Sequence, residues 1–133
     1  MDQKWEVNEE GFPYSGKSEF IEMIKLRTKN LVLRHIRLFQ ALPASEEAKV
    51  IGKQLLRSAT STGANYRAAC RARSKAEFFS KLSITIEEAD ESLFWLEILE
   101  ESGIVEERKL SALKSETIEI LKILSKARTT LRP

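Results

Sequence analysis

Four stretches of this chain carry apolar residues at steps of three, four or seven, and short breaks separate them. Such steps keep side chains on one face of an α-helix, whereas a strand requires alternation by two, which this sequence never sustains. The cleanest stripe reads Leu110, Leu113, Thr117, Ile120, Leu124, Ala127, Leu131. Before it come Phe79, Leu82, Ile86, Ala89, Leu93, Leu96, and earlier still Ile51, Leu55, Ala59, Thr62, Tyr66, Ala69. The first stripe is Phe20, Ile24, Leu31, Leu38, Leu42, with His35 in the same line.

The breaks are chemically legible. Pro43 disfavours helical geometry at Leu42, and Ser45 can cap the next helix with Glu46 and Glu47 on its positive end. Ser74-Lys75-Ala76-Glu77 fits a capping box. Gly103 after Ser102 suits a left-handed C-terminal cap, with Ile104 folding back on the last turn. These signals predict helices over about 18–42, 46–72, 75–102 and 106–131. Short connections between long amphipathic helices imply an all-α, up-down-up-down antiparallel four-helix bundle. Its 133 residues suffice for one such domain with one core. Residues 1–16 show no sustained period and read as a tail, either docked through Trp5, Phe12 or Tyr14 or disordered.

Within helix 2 the stretch Ser58 to Ala64 is almost wholly small. Gly63 inside a helix costs about 1 kcal/mol relative to Ala, and close backbone approach by a neighbouring helix is the natural compensation. Ser58, Ser61 and Asn65 share a helical face, and Glu91 falls among Ile84, Trp95 and Ile98. Arg57 is the expected partner of a semi-buried Glu91, and Arg57, Ser58, Ser61, Asn65 and Glu91 are expected to form a structural polar network that fixes helix register. Several apolar residues lie off the core stripes: Ile21, Ile36, Phe39, Phe78, Ile84, Trp95, Ile98, Leu99, Ile118 and Leu121. Such wide apolar arcs suggest a subunit interface, or else broad buried faces.

The formal charge of +2 conceals a polarity. In an up-down-up-down bundle, residues 17–29, 60–86 and 120–133 share one end. They hold thirteen Lys and Arg against three Glu, whereas residues 30–59 and 87–119 hold eight basic and thirteen acidic residues. A basic end attracts polyanions, and nucleic-acid phosphate, RNA foremost, is the expected target. The preferred contacts are Arg67, Arg71, Arg73, Lys75 and Lys81, joined by Lys126, Arg128 and Arg132 from helix 4. The plain alternative is a solvated surface offset by the acidic half. An anionic membrane fits less well, since no basic amphipathic anchor stands out.

Catalytic chemistry finds little support. A di-iron carboxylate bundle needs two Glu-x-x-His motifs, and this chain has one His with no Glu at that spacing. His35 reads as a hydrogen-bonded core or interface residue. Cys70 lies near Arg71 and Arg73, which could lower its pKa, but without a second Cys or a base inert packing is expected. No His is placed to activate Ser58, Thr60, Ser61 or Thr62, and there is no Walker-type phosphate loop. No catalytic residue, metal or cofactor is expected. A single Cys excludes an internal disulfide and suits a reducing cytoplasm. The polar, acidic first twelve residues do not resemble a secretory signal, and no apolar run is long enough to span a bilayer.

Arg57-Ser58-Ala59-Thr60-Ser61-Thr62-Gly63-Ala64-Asn65, followed by Ser74-Lys75-Ala76-Glu77-Phe78, resembles the signature of the bacterial four-helix-bundle family named after intervening sequences in 23S ribosomal RNA genes. Ala41-Leu42-Pro43 before it, and Glu91 and Leu96 after it, look like the same family, over roughly residues 20–130. The resemblance implies a left-turning bundle that assembles into a ring, typically a homopentamer. The chain is also similar to the accessory variability proteins of diversity-generating retroelements, basic rings that work with a reverse transcriptase and RNA. The expectation is therefore a non-enzymatic, cytoplasmic, oligomeric protein that binds RNA through its basic end. The competing class is a structural adaptor that binds a protein such as a reverse transcriptase through the same charge.

Overall fold

The computed structural model describes residues 14–130, with side chains from Ser18 onward. Four helices account for nearly all of them: α1 (Tyr14–Gln40), α2 (Glu46–Cys70), α3 (Lys75–Glu101) and α4 (Glu107–Thr130). Links this short force each helix to run antiparallel to the one before it. Each packs on its neighbours in sequence, and α1 closes the ring against α4. The α2–α3 seam is the most intimate and the α1–α4 seam the loosest. This is the up-down-up-down bundle. Helix α1 begins at Tyr14, four residues earlier than its apolar stripe indicated, so the expected tail and helix overlap there. Residues 1–13, with Trp5 and Phe12, lie outside the described residues, as do 131–133 with Arg132.

The helix ends follow their local chemistry. The last turn of α1 tightens before Pro43, with Ala41 N–H donating to Leu38 O at 3.0 Å and Leu42 N–H to Phe39 O at 3.2 Å. Ser45 Oγ accepts from Ala48 N–H at 3.3 Å, and Ser74 Oγ from Glu77 N–H at 3.0 Å. The reciprocal half of the second cap is shifted by one residue. Glu77 Oε1 accepts from Arg73 N–H at 2.8 Å, outside the helix proper, instead of from Ser74. Gly103 takes φ +80°, and Val105 N–H returns to Leu99 O at 3.1 Å, so Ile104 and Val105 pack onto the core.

Ile24, Leu31, Leu55, Leu82, Leu96, Leu99, Leu110, Ile120 and Leu124 are fully buried between the four helices. Burying a side chain of this kind contributes about 1.5–3 kcal/mol. On α3 the inward face differs from the expected stripe. Phe78, Leu82, Thr85, Ala89, Ser92, Leu96 and Leu99 are buried, whereas Phe79, Ile86 and Leu93 are only half-buried. Small residues on α2 let α3 come close on that side, which draws Thr85 and Ser92 inward. Phe78 and Leu99 are therefore core residues and leave the set of possible interface residues. The large apolar side chains that remain exposed are Met23, Leu26, Leu33, Val50, Ile84, Phe94 and Ile118.

Burying a hydroxyl without a partner is costly, yet this core holds several. Thr28, Thr62, Thr85, Ser92 and Thr117 each donate to the carbonyl four residues back, at 2.8–3.1 Å. Helical backbone thus supplies the acceptors, and no partner helix has to. Both helical glycines of α2 face α1. A Cβ on Gly52 would stand 2.6 Å from Leu42 Cδ1, and one on Gly63 would stand 2.7 Å from Val32 Cγ2. At Gly63 the tight neighbour is the Val32 side chain and not the expected backbone, whose nearest atom, Thr28 O, would stand at 3.6 Å.

Candidate polyanion-binding groove

The two flanks of α2 carry different chemistry. Toward α3, Ser58 and Ser92 hydroxyls meet at 2.9 Å inside the core. Each can also donate to its own helix, Ser58 to Leu55 O and Ser92 to Glu88 O, so one hydroxyl donates across and the other backward. At the rim of this seam Arg57 Nη2 donates to both Glu91 carboxylate oxygens at 2.8 Å, and Trp95 Nε1–H donates to Glu91 Oε2 at 3.1 Å. The indole N–H and the guanidinium together hold the Glu91 carboxyl below its usual range. Glu88 Oε1 stands 3.4 Å from the same guanidinium, an ion pair without hydrogen-bond alignment.

This arrangement only partly matches the expected polar network. Arg57, Ser58 and Glu91 are brought to one seam, but the Arg57 side chain is half exposed, so its cluster sits at the edge of the bundle. Ser61 and Asn65 stand apart: Asn65 Nδ2 donates to Ser61 O at 2.9 Å, a bond within its own helix. Ser92, Trp95 and Glu88 were not anticipated as members. Ser92 and Glu88 meet α2 because the inward face of α3 begins at Phe78, whereas Trp95 joins by bonding Glu91 one turn back on its own helix.

Toward α1, the small residues of α2 leave space. A groove of about 870 Å³ runs between α1 and α2 to the start of α3. Its lining includes Thr60, Gly63, Ala64 and Ala68 from α2, and Leu26 and Val32 from α1. Five cations line it: Lys25 and Lys29 on α1, Arg67 on α2 with Arg71 at its C-cap, and Lys81 on α3. Lys25 and Lys29 are one helical turn apart, as are Arg67 and Arg71, so each helix places a basic pair in the groove. Two carboxylates also line it, Glu22 and Glu77. Glu22 pairs with Lys25 at 3.3 Å and Glu77 with Arg73 at 3.6 Å. Lys29, Arg67, Arg71 and Lys81 make no salt bridge among the described residues.

Of the eight expected contact residues, Arg67, Arg71 and Lys81 line this groove, and Arg73, Lys75, Lys126 and Arg128 do not. Arg73 is 90% exposed and pairs with Glu77. Arg132 lies outside the described residues. Lys25 and Lys29 were counted in the basic end but not chosen as contacts. The signal that could have found them is the matching one-turn spacing on facing helices. Arg27, also counted as basic, is neutralised. It donates to Glu116 through Nε at 2.9 Å and Nη2 at 2.8 Å, and to Glu119 at 3.0 Å, which ties α1 to α4 and lowers the Glu116 pKa.

Of the nucleophile and base candidates, Cys70 is half-buried and His35 fully buried. Burial pushes the Cys70 thiol up to about 11, outweighing Tyr66, Lys25 and Arg71, so the lowering that the sequence suggested from Arg71 and Arg73 does not occur. His35 is fully buried, and its Nδ1–H donates to Leu31 O at 2.8 Å. Nε2 has no partner among the described residues, and burial lowers the imidazole pKa to about 4, so the ring is neutral. Among the described residues no group of three or more His, Cys, Asp or Glu could hold a metal ion, and no helix is long and apolar enough to cross a membrane.

Fold and site together define an antiparallel four-helix bundle with a cation-lined groove between α1 and α2. The chain belongs to the 23S rRNA-intervening sequence protein family, whose model matches residues 10–126. A solved structure from Bacteroides thetaiotaomicron VPI-5482, a protein of unknown function from the S23 ribosomal protein family, is similar at 32% identity with a TM-score of 0.77. The match covers 82% of this chain and 97% of that one. No curated protein matches.

Proposed function

We propose that this protein is a non-enzymatic, oligomeric bundle that binds the phosphate backbone of RNA in the α1–α2 groove. The observation that carries the reading is the pair of facing basic turns, Lys25 and Lys29 against Arg67 and Arg71, with Lys81 at the end of the same groove. A phosphodiester backbone carries charge at regular intervals, which two rows of cations can follow without reading bases. The family's name, taken from intervening sequences of 23S rRNA, supports RNA over DNA as the polyanion. Assembly into a ring, as the family resemblance implies, would repeat the groove around an axis and multiply its field. Met23 and Leu33 on α1 and Phe94 on α3, all large and exposed, support self-association.

Filter binding to a single-stranded RNA at low salt tests this. Arg67→Glu with Arg71→Glu should weaken binding by about 10- to 100-fold. Arg73→Glu with Lys75→Glu, outside the groove, should cost several-fold less. With four unpaired groove cations engaged, log affinity should fall against log salt with a slope of about −3. Equal losses from the two double variants would move the site off the groove, and unchanged affinity in both would sink the reading. If an acidic protein competes for the same residues and free RNA does not, the adaptor reading replaces it.

A further inference from the structure

We propose that the acidic segment preceding α1, residues 1–13 of this same chain, docks in the α1–α2 groove and competes there with the polyanion. The proposal rests on the groove assigned above and adds its regulation. Three observations converge. The first is charge complementarity: residues 1–13 carry Asp2, Glu6, Glu9 and Glu10 against Lys4, while Lys29, Arg67, Arg71 and Lys81 stand without salt bridges among the described residues. The second is an apolar match. Trp5, Val7 and Phe12 are interspersed with those carboxylates, and the groove lining offers Leu26, 59% exposed, beside Val32. A chain that alternates acidic and apolar residues suits a surface that alternates cations and aliphatic side chains.

The third is reach. The segment joins α1 at Tyr14, at the end of the bundle where the groove lies. Along α1 the groove lining runs from Glu22 to Val32, and a helix rises about 1.5 Å per residue, so Lys29 is about 22 Å from Tyr14. Thirteen extended residues span about 43 Å, enough to fold back along the groove. In the sequence Gly11 and Pro13 come just before α1, and both residue types suit the reversal that docking requires. Tethering holds the acidic segment at high effective concentration, so even weak contacts compete.

Two readouts test the docking and the competition separately. Trp5 emission, isolated as the difference between the full chain and its Trp5→Phe variant, reads docking without RNA. It should be blue-shifted at low salt and move to the red both at high salt and in the Arg67→Glu, Arg71→Glu variant. Solvent-like emission at low salt overturns docking. The second readout is affinity for a single-stranded oligouridylate. Trp5→Ala with Phe12→Ala, which leaves net charge unchanged, should bind about three- to tenfold tighter, because a fraction of grooves is no longer occupied. Unchanged affinity, with Trp5 docked in the parent chain, overturns the competition. If no variant binds RNA while Trp5 still responds to Arg67 and Arg71, docking stands and the RNA reading fails.

Discussion

The two flanks of α2 are built from the same kinds of residue and do opposite things. Facing α3, Ser58, Ala59 and Thr62 are buried, and smallness lets two backbones approach until Ser58 and Ser92 share a hydrogen bond. Facing α1, Thr60, Gly63, Ala64 and Ala68 line an open groove, and the cations around it keep it attractive to anions. A small side chain permits close packing only where a neighbouring helix fills the space. Where the neighbour is held off, the same composition makes a concavity. On the α1 side the spacing is set by Val32 against Gly63 and by Phe39 and Leu42 against Gly52, all side chains seated on the two glycines.

That contrast can be broken from either flank. The largest expected effect lies in the sealed interior. His35 has a folded pKa of about 4 against 6.5 for the free side chain, so the fold favours the neutral ring. Its contribution is fully present above pH 6.5 and is lost as pH falls from 6.5 toward 4, on the order of 3 kcal/mol in all. Denaturant midpoints measured across that window should fall steeply in the parent and much less in His35→Leu. The depressed carboxylates Glu91 and Glu116 contribute above their ordinary pKa and lose that contribution only at lower pH, so they do not mimic the His35 slope. An equal slope in His35→Leu would place the acid sensitivity elsewhere.

Filling the groove from its lining should have the next effect. Gly63→Leu forces α1 and α2 to adjust around Val32, at about 1–3 kcal/mol for overpacking, offset in part by about 1 kcal/mol of helix propensity. Thermal unfolding should show the net loss, and RNA affinity should fall with it. Stability lost without any change in RNA binding would separate the groove from function. At the rim of the sealed seam, Arg57→Ala should cost less than about 1 kcal/mol despite its short contacts with Glu91, because the guanidinium is half exposed. Asn65→Leu marks the small end. Its amide bonds only within its own helix, so stability should shift by no more than about 0.5 kcal/mol. A larger loss in urea titration would return Asn65 to the network that the sequence suggested.

Most of the bundle was legible because its signals are local. Ser45, Ser74, Pro43 and Gly103 act on backbone a few residues away, and the apolar stripes need only helical geometry to be read. The rotation of α3 was not legible. The faces beginning at Phe78 and at Phe79 share Leu82, Ala89 and Leu96, and periodicity alone does not choose between them. The choice depends on how near α2 can come, and on hydroxyls at Thr85 and Ser92 that satisfy themselves on their own helix. Ser92 was missed for the same reason, whereas the Trp95–Glu91 bond is a local one-turn spacing.

The charge shows the same division. The sequence by itself determined that basic residues gather at one end, since up-down-up-down connectivity fixes which termini meet. Only the tertiary structure decided which of them act together. It paired Arg27 with Glu116 and Glu119, and it set Lys25 and Lys29 in one groove with Arg67 and Arg71. Sequence records which charges a helix carries. Whether a charge is spent on a neighbouring carboxylate or left open in a groove depends on distances of a few ångströms between helices, which packing alone sets.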